Sequence, residues 1–292
     1  MNLYLQALID GLLIGGVYAT IAVGLSLAFG VMRIINWAQG ELLMVSMYIS
    51  YYILNLTGLD PYIVMFIVFI LMFGLGYLLQ STVISNLLAK ETAREPLSVL
   101  LFTAGLGIFL TNLMLSIAGA TPLTASTAYS GRVLEAGDIF ISVPKLISFG
   151  IAFVSTVALY IVLKKTEIGR AIRATSQNRN VATLMGINQK RIYNLAFGIS
   201  IGLVGLSGAL LVPFYSISTT VGATFSFKAF IIVVLGGKGS VLGALCGGLL
   251  VGIIEKIGGV IWSDTYAQML VFFIFIVVLM FRPNGLLGEK DI

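Results

Sequence analysis

Residues 30–49 read GVMRIINWAQGELLMVSMYI, and four polar side chains fall within nine positions of a region that is otherwise apolar. They are Arg33, Asn36, Gln39 and Glu41, and apolar sequence precedes and follows them. One interpretation is a short cytoplasmic turn between two membrane spans, with Glu41 stabilised at the start of the second helix by the helix dipole. The other is a polar stretch inside the membrane, because the polar residues alternate with isoleucine and tryptophan and intramembrane polar groups mark transport pathways.

The composition places this stretch in a membrane protein. The chain has 292 residues, of which 59% are hydrophobic and 10% charged, and its mean hydropathy is +1.05. Soluble domains carry about 25% charged residues. Because each spanning segment must satisfy its own backbone hydrogen bonds, the spans are predicted to be helices. We therefore predict an all-α integral membrane protein, a polytopic bundle of about eight to nine transmembrane segments with short broken or re-entrant helices.

Hydropathy divides the chain into nine candidate spans within one transmembrane domain, residues 1–292. The first is expected to end at Gly30, and the two short segments near 226–259 could be re-entrant instead of spanning. The candidate spans are 5–29, 40–56, 61–88, 97–119, 144–163, 192–215, 226–236, 240–259 and 265–281.

The net charge of +5 orients the predicted bundle. Basic residues cluster at Lys90 and Arg94, through 164–191, and at Arg282 and Lys290. Loops rich in Lys and Arg face the cytoplasm, which places the C-terminus inside and the N-terminus outside. This rule explains the positive charge without nucleic acid, and the start of the chain does not resemble a signal peptide.

The residue types exclude most catalytic chemistry. The chain has no histidine and one cysteine, Cys246, so neither a metal site nor an activated serine is expected. The stretch VVLGGKGSVLGALCGG, residues 233–248, contains GGKGS but lacks the spacing of a phosphate-binding P-loop. Its glycines predict either a broken helix beside a cavity or an ordinary cytoplasmic turn. No enzymatic activity is expected of this chain.

The basic loop 164–191 contains a second patterned segment. The stretch RNVATLMGI predicts a short amphipathic helix, which Gly186 and Asn188 would end. Its apolar face would lie either on lipid headgroups or on a cytosolic partner. The apolar residues at helical spacing are Val181, Leu184, Met185 and Ile187.

Glycines four residues apart recur along the spans, and this spacing allows neighbouring helices to pack closely. The simplest interpretation is tight helix packing; a further one is that these helices slide during transport. The pairs are Gly11 and Gly15, Gly198 and Gly202, Gly243 and Gly247, and Gly248 and Gly252.

Four motifs in order resemble the LivH-type permeases of bacterial branched-chain amino acid ABC importers. Residues 10–48, with INWAQGE at 35–41, resemble the N-terminal motif of that family. EIGRAIRATSQNRNVATLMGIN at 167–188 resembles its cytoplasmic coupling loop. VLGGKGSVLGALCGG at 234–248 resembles its Gly-rich segment, and RPNGLLG at 282–288 its C-terminal tail. The resemblance covers essentially the whole chain.

The resemblance implies a permease subunit in the bacterial cytoplasmic membrane. Its partners would be a homologous second permease, two cytosolic ATPase subunits and an extracytoplasmic substrate-binding protein. ATP and Mg²⁺ would bind the ATPases, so no cofactor is expected in this chain. The coupling helix, from about Ser176 to Asn188, would then dock on an ATPase instead of lying on lipid.

The same resemblance suggests site residues. The substrate pathway would involve Asn36, Trp37, Gln39 and Glu41, with a nearby bend formed by Gly236, Gly237 and Gly239. The surface that couples to the ATPase would include Arg173, Asn178, Ala182, Gly186, Ile187 and Asn188. Gln39 departs from the family, which commonly has histidine there, and a glutamine keeps hydrogen-bonding capacity but does not titrate.

Three alternatives remain open at this level. A permease of the same family could carry urea, short amides or other amino acids. An autonomous secondary transporter would need carboxylates within its spans, and only Glu41 and Glu255 lie near membrane depth in the predicted segments. A membrane-embedded scaffold or enzyme is disfavoured by the missing catalytic groups.

Overall fold

The computed structural model describes residues 2–90, 96–127, 129–136, 139–282 and 284–288. Arg94 and Lys290, two of the basic residues used for the predicted topology, lie outside these ranges. Within them the chain folds as a helical bundle. The elements are α1 Asn2–Met32, α2 Gln39–Thr57, α3 Pro61–Leu79, a π-helical turn Gln80–Ile84, α4 Ser85–Lys90, α5 Leu97–Ala118, β1 Val133–Ala136, β2 Ile139–Ser142, α6 Val143–Lys165, α7 Glu167–Gln177, α8 Arg179–Leu184, α9 Gln189–Leu211, α10 Val221–Gly236, α11 Val241–Ile261 and α12 Asp264–Phe281.

Every predicted apolar segment is helical in the part of the chain that the structure describes. Seven helices are long and apolar enough to cross a membrane, counted over the described residues. The helix α10 is shorter, with 16 residues, and α2 is a largely buried helix of 19 residues. The all-α membrane fold is thereby confirmed, and the predicted eight to nine segments are close to the observed set.

Several predicted boundaries differ from the observed ones; the span predicted at 192–215, for example, is the helix Gln189–Leu211, and two further differences have a structural explanation. The first helix does not end at Gly30 but continues to Met32, and the chain turns at Arg33, whose φ is +56°. Gly30 serves close packing instead, since a Cβ there would lie 2.9 Å from the Cα of Gly239. The short segment predicted to begin at 226 begins at Val221, because hydropathy underrates the small and polar residues of its first turn.

The centre of the bundle consists of α1 and α9, whose most apolar windows are both 89% buried. Glycines bring their neighbours close, as the spacing predicted. A Cβ on Gly15 would lie 3.0 Å from the carbonyl oxygen of Gly248, so α1 and α11 pack backbone to backbone. Gly198 and Gly202 instead leave room for the aromatic rings of Phe73 and Phe69 on α3.

The outer helices turn large apolar side chains away from the protein. In α5, Leu101, Ile108 and Phe109 are 70%, 68% and 60% exposed, and in α12 Phe273 and Met280 are 63% and 76% exposed. Apolar surface of this extent is unfavourable in water and is expected where lipid surrounds a protein. The burial pattern therefore agrees with a membrane-embedded bundle.

Contacts between distant segments define two ends of the bundle. At one end Gln6 donates to the carbonyl oxygen of Phe140 at 2.6 Å, and Lys145 pairs with Asp10 at 2.8 Å. At the opposite end Gly30, where α1 approaches its C-terminus, touches Gly239, and Leu287 N donates to Gly236 O at 3.0 Å. The N-terminus and residues 284–288 therefore lie at opposite ends.

A small antiparallel hairpin, β1–β2, was not foreseen from the sequence. It pairs Val133 with Ser142 and Ala136 with Ile139 in register. The hairpin lies at the N-terminal end of the bundle, where Gln6 both donates to and accepts from the backbone of Phe140. The strand β2 leads directly into the start of α6, and the hairpin lies outside the span predicted at 144–163.

Candidate functional site

The polar stretch of residues 33–38 folds back into the bundle instead of forming a turn at its surface. The side-chain amide of Gln39 lies 3.4 Å from the carbonyl oxygen of Ile21. Ile21 is about eleven residues before the end of α1, or about 16 Å along a helix axis. Because α2 begins at that depth, its first turn lies well inside the bundle. The structure therefore favours the intramembrane interpretation of this stretch over the surface turn.

Asn36 and Gln39 brace this re-entrant segment. Asn36 Oδ1 accepts a hydrogen bond from the backbone of Ala38 at 3.2 Å, and its Nδ2 donates to Gln39 Oε1 at 3.0 Å. Both residues are at most 2% exposed. Their amides satisfy each other and the local backbone, which stabilises an irregular segment at membrane depth. Asn36 itself precedes α2, which begins at Gln39.

Glu41 lies in the first turn of α2 and faces α10. Its Oε2 accepts a hydrogen bond from Ser226 Oγ at 3.0 Å. Ser226 Oγ also accepts from the backbone nitrogen of Gly40 at 2.8 Å and lies 3.2 Å from the carbonyl oxygen of Trp37. Gly40 and Gly222 let the two helices touch here, since a Cβ on Gly40 would overlap the Gly222 carbonyl oxygen. The start of α2 and the first half of α10 thus form one unit.

A small pocket that is open to the surface lies beside this unit. Asn36 and Glu41 contribute its polar end together with Ser226. Trp37 is 43% exposed and packs against the rings of Phe227 and Phe230, with centroids 6.1 and 6.4 Å away. The apolar lining residues are Leu25, Ile35, Trp37, Ala223, Phe227 and Phe230. The pocket therefore combines one carboxylate with apolar and aromatic walls.

A second, smaller pocket adjoins the first, because Leu25, Ile35 and Phe230 line both. It continues toward the end of the bundle where α10 ends, and Lys238 lines it there. The Lys238 ammonium lies 5.3 Å from the centre of the Phe29 ring. Together the lining residues of the two pockets extend from Glu41 to Lys238 along one side of α10.

The predicted pathway residues therefore have different positions. Asn36, Trp37 and Glu41 line the first pocket, while Gln39 lies behind it and supports Asn36. Gly236, Gly237 and Gly239 form a tight turn at the end of the bundle and line neither pocket. Gly237 and Gly239 have φ of +109° and +81°, and Gly237 packs against Gly288. For GGKGS the structure thus favours the ordinary turn over the broken helix.

The residues predicted to couple to an ATPase lie on α7, α8 and the turn after them. Asn178 caps α8, accepting from Asn180 N at 3.0 Å, and Asn188 caps α9, accepting from Arg191 N at 3.1 Å. Gly186 ends α8 with φ of +84°, and Ile187 N donates to Ala182 O at 3.1 Å. Arg173 donates to the carbonyl oxygen of Leu163. These hydrogen bonds determine the local structure of α7, α8 and the turn after them.

The exposed surface of α8 consists of other residues. Val181, Leu184 and Met185 are 53%, 86% and 79% exposed. Ala182 is 3% exposed and faces the bundle, so a partner would not contact it directly in this arrangement. The predicted apolar face therefore exists, and three of its four residues point away from the protein.

The sequence analysis did not identify the residues of α10 that complete the pocket, above all Ser226, Phe227 and Phe230. The available signal was a serine and a lysine within a short apolar helix, which is unusual at membrane depth. Hydropathy alone does not show that this helix lies against Glu41, because 185 residues separate Glu41 from Ser226.

Comparison with known proteins finds similarity to permease proteins of transport systems. A family model described as "Branched-chain amino acid transport system / permease component" matches residues 7–279. The high-affinity branched-chain amino acid transport system permease protein BraD of Pseudomonas aeruginosa is 31% identical, with 99% of this chain and 97% of that protein covered. The corresponding permease protein LivH of Escherichia coli is 30% identical with the same coverage. The ribose import permease protein RbsC of Bacillus subtilis is 26% identical, over 98% of this chain and 85% of that protein.

Proposed function

The chain belongs to the family of permease components of branched-chain amino acid transport systems, and on this basis we propose that it forms the membrane pathway for branched-chain amino acids in an ATP-driven importer. It is a multi-pass protein of the bacterial inner membrane. The observation that carries the proposal is the pocket between the start of α2 and α10, at the depth of Ile21 and lined by Glu41 and apolar side chains.

The lining suits a zwitterion with a hydrocarbon side chain. The carboxylate of Glu41 attracts an ammonium group, and Asn36 and Ser226 offer further polar atoms at the same end. Trp37, Phe227 and Phe230 supply an apolar wall for a leucine-like side chain. Urea, short amides and sugars lack the cationic group, so this lining favours amino acids over the neutral cargoes that other permeases of the family carry.

A second permease would complete the pathway. The pocket opens on the surface of the single chain, where Trp37 and Phe227 are 43% and 58% exposed. The pocket that contains the Glu41 carboxylate opens on this surface, and contact of a carboxylate with lipid is unfavourable. A homologous permease packed against this face would enclose the pocket between two subunits and shield Glu41.

Energy would come from partner proteins. Two cytosolic ATPases would hold ATP and Mg²⁺, and an extracytoplasmic binding protein would deliver the substrate. The exposed apolar side chains of α8, Leu184 and Met185, offer a contact surface for an ATPase. Closure of the ATPases would then move α8 and α7, which continue directly into α6 and α9. The bundle would alternate between outward- and inward-facing states.

The test is reconstitution with the candidate partners. The chain is expressed with the second permease, ATPases and binding protein encoded beside it, purified through a tag on the permease and inserted into liposomes. We expect the ATPases to remain bound and labelled leucine to accumulate only with ATP on the ATPase side. Valine and isoleucine should compete, whereas urea and ribose should not.

Two controls separate the alternatives. Liposomes with an ATPase that binds but does not hydrolyse ATP should take up no leucine. Uptake that persists without any ATPase and follows a proton gradient would contradict the importer and favour a secondary transporter. ATP-driven uptake of urea but not leucine would keep the importer and replace its substrate.

A further inference from the structure

A buried cluster of charged and polar side chains lies on the side of α10 away from the pocket. Lys228 Nζ donates to Glu255 Oε1 at 2.8 Å and to the hydroxyl of Tyr18 at 3.0 Å. Lys228 is 9% exposed, and Tyr18 is 1% exposed. The cluster joins three helices, because Tyr18 belongs to α1, Lys228 to α10 and Glu255 to α11.

This arrangement is costly at membrane depth. A charged side chain inside the bilayer is costly unless it is paired. Glu255 Oε2 has no hydrogen-bond partner among the described residues, so its charge is compensated through Oε1 alone. Lys228 is also held over the Tyr18 ring, 4.7 Å from its centre. An apolar trio would fill the same space at lower cost, so packing alone does not explain why charges are used.

The position of Lys228 on α10 indicates its role. Lys228 follows Ser226 by two residues, which places the two side chains about 200° apart around a helix. One side of α10 is therefore tied to Glu41 and Trp37 through Ser226. The opposite side is tied to α11 and α1 through Lys228.

The helix α10 depends on such ties because it is short. Its 16 residues span about 24 Å, less than the roughly 30 Å of a bilayer core. Hydrophobic matching therefore does not fix its depth, and apolar contacts allow a helix to slide or rotate. A directional ion pair fixes both the depth and the rotation of the helix.

We propose that Lys228 is a positioning residue for the translocation pocket: paired with Glu255 and Tyr18, it holds α10 so that Ser226, Phe227 and Phe230 face Glu41 and Trp37. The proposal rests on the proposed function only in assigning the pocket to substrate transport. Its structural part, the placement of α10, is measured without transport.

The fluorescence of Trp37 reports that placement directly, because its ring packs against Phe227 and Phe230 of α10. The chain has two tryptophans, and Trp262→Phe leaves Trp37 as the single tryptophan. In this background Lys228→Met with Glu255→Met removes both charges together and avoids an unpaired one. The matched control is Asp10→Asn with Lys145→Met, which removes the 2.8 Å ion pair between α1 and α6, away from α10.

The purified full chain is measured first, in detergent or lipid nanodiscs. We expect the neutral double variant to fold and to retain its thermal unfolding midpoint, with a shifted Trp37 emission maximum and greater quenching by iodide. The control should match the Trp262→Phe background. A folded neutral double variant whose Trp37 emission and quenching are unchanged would overturn the proposal.

The reconstituted complex supplies the second measurement. If α10 is displaced while the ATPases still bind, leucine transported per ATP hydrolysed should fall by about tenfold, whereas a general loss of stability would lower uptake and hydrolysis in proportion. A proportional loss would overturn the positioning role. If the unmodified complex transports no leucine, the proposed function fails while the fluorescence result still decides the placement of α10.

A milder variant covers the case in which the neutral pair does not fold. Tyr18→Phe keeps the ion pair and the ring but removes the hydroxyl that ties Lys228 to α1. The proposal then requires a smaller emission shift of the same sign and a partial loss of coupling. Unchanged values for both would overturn it.

Discussion

At the scale of single residues, the most specific prediction concerns Glu41. Its carboxylate lines the pocket and accepts from Ser226, and the described lining offers no other acidic side chain. We expect Glu41→Gln to preserve the hydrogen bond and the fold, because glutamine has the same shape. Loss of the negative charge should lower leucine uptake by about tenfold, the equivalent of about 1.4 kcal/mol.

The measurement is leucine uptake by the reconstituted complex, with ATPase binding and unfolding temperature as checks on folding. Ser226→Ala is the matched variant, since it removes a hydroxyl from the same contact and leaves the charge; its effect should be smaller. Unaltered uptake by a folded Glu41→Gln complex would show that the carboxylate stabilises α2 and α10 without serving the substrate.

The positions of individual side chains in the site could be predicted from the sequence only in part. Asn36 and Glu41 could be identified because polar groups in an apolar run are unusual whatever surrounds them, and Trp37 because it belongs to the same motif. Gln39 was expected in the pathway, yet its side chain lies behind Asn36, because side-chain direction depends on where the chain turns at Arg33. Lys228 and Glu255 form a pair that no local pattern connects, since each finds its partner only when α10 and α11 pack.

At the scale of secondary-structure elements, the clearest prediction concerns the binding of an ATPase to α8. It has six residues, and its apolar side chains Leu184 and Met185 point away from the bundle. Replacing them as Leu184→Ser with Met185→Ser removes apolar surface without touching the caps at Asn178 and Asn188. If an ATPase binds this face, its affinity should fall by about tenfold or more, as for the central contacts of an interface.

The readout is the amount of ATPase that co-purifies with the tagged permease, together with leucine uptake. Arg179→Ser and Asn180→Ser provide the matched control on the polar side of the same helix, and should retain the ATPase. If ATPase binding survives the apolar changes but the chain detaches more readily from anionic vesicles, α8 lies on lipid headgroups, which was the other interpretation of its amphipathic pattern.

Elements were the best-predicted level. Apolar run length determines where helices lie in a membrane, so all nine segments could be located from hydropathy. The hairpin β1–β2 was not predicted, because its two strands have only four residues each. Without a clear alternation of apolar and polar side chains, strands this short give little sequence signal. The start of α10 was placed too late, since the decisive contacts of Gly222 with α2 are tertiary.

At the scale of the whole molecule, the contacts show which segments lie at the same end of the bundle. Which end faces the cytoplasm is determined by how the chain inserts into the membrane. The N-terminus, the hairpin and the loop before α10 lie at one end, and the turn 237–240 with residues 284–288 lies at the other. The basic loop 164–191 follows the end of α6 that is distant from the Asp10–Lys145 pair. Positive loops remain in the cytoplasm, so this end should be cytoplasmic and the N-terminus external.

Cysteine labelling in intact cells tests that direction. The chain has one cysteine, so Cys246→Ala provides a background without thiols, and single cysteines are then placed by Thr57→Cys near the predicted outside and Thr183→Cys on α8. Both positions are exposed, which makes them matched reporters. A membrane-impermeant maleimide should label Thr57→Cys in intact cells and Thr183→Cys only after permeabilisation, because charged loops do not cross the bilayer once inserted. The opposite pattern would invert the bundle, place α8 outside the cell and remove the surface on which a cytosolic ATPase could act.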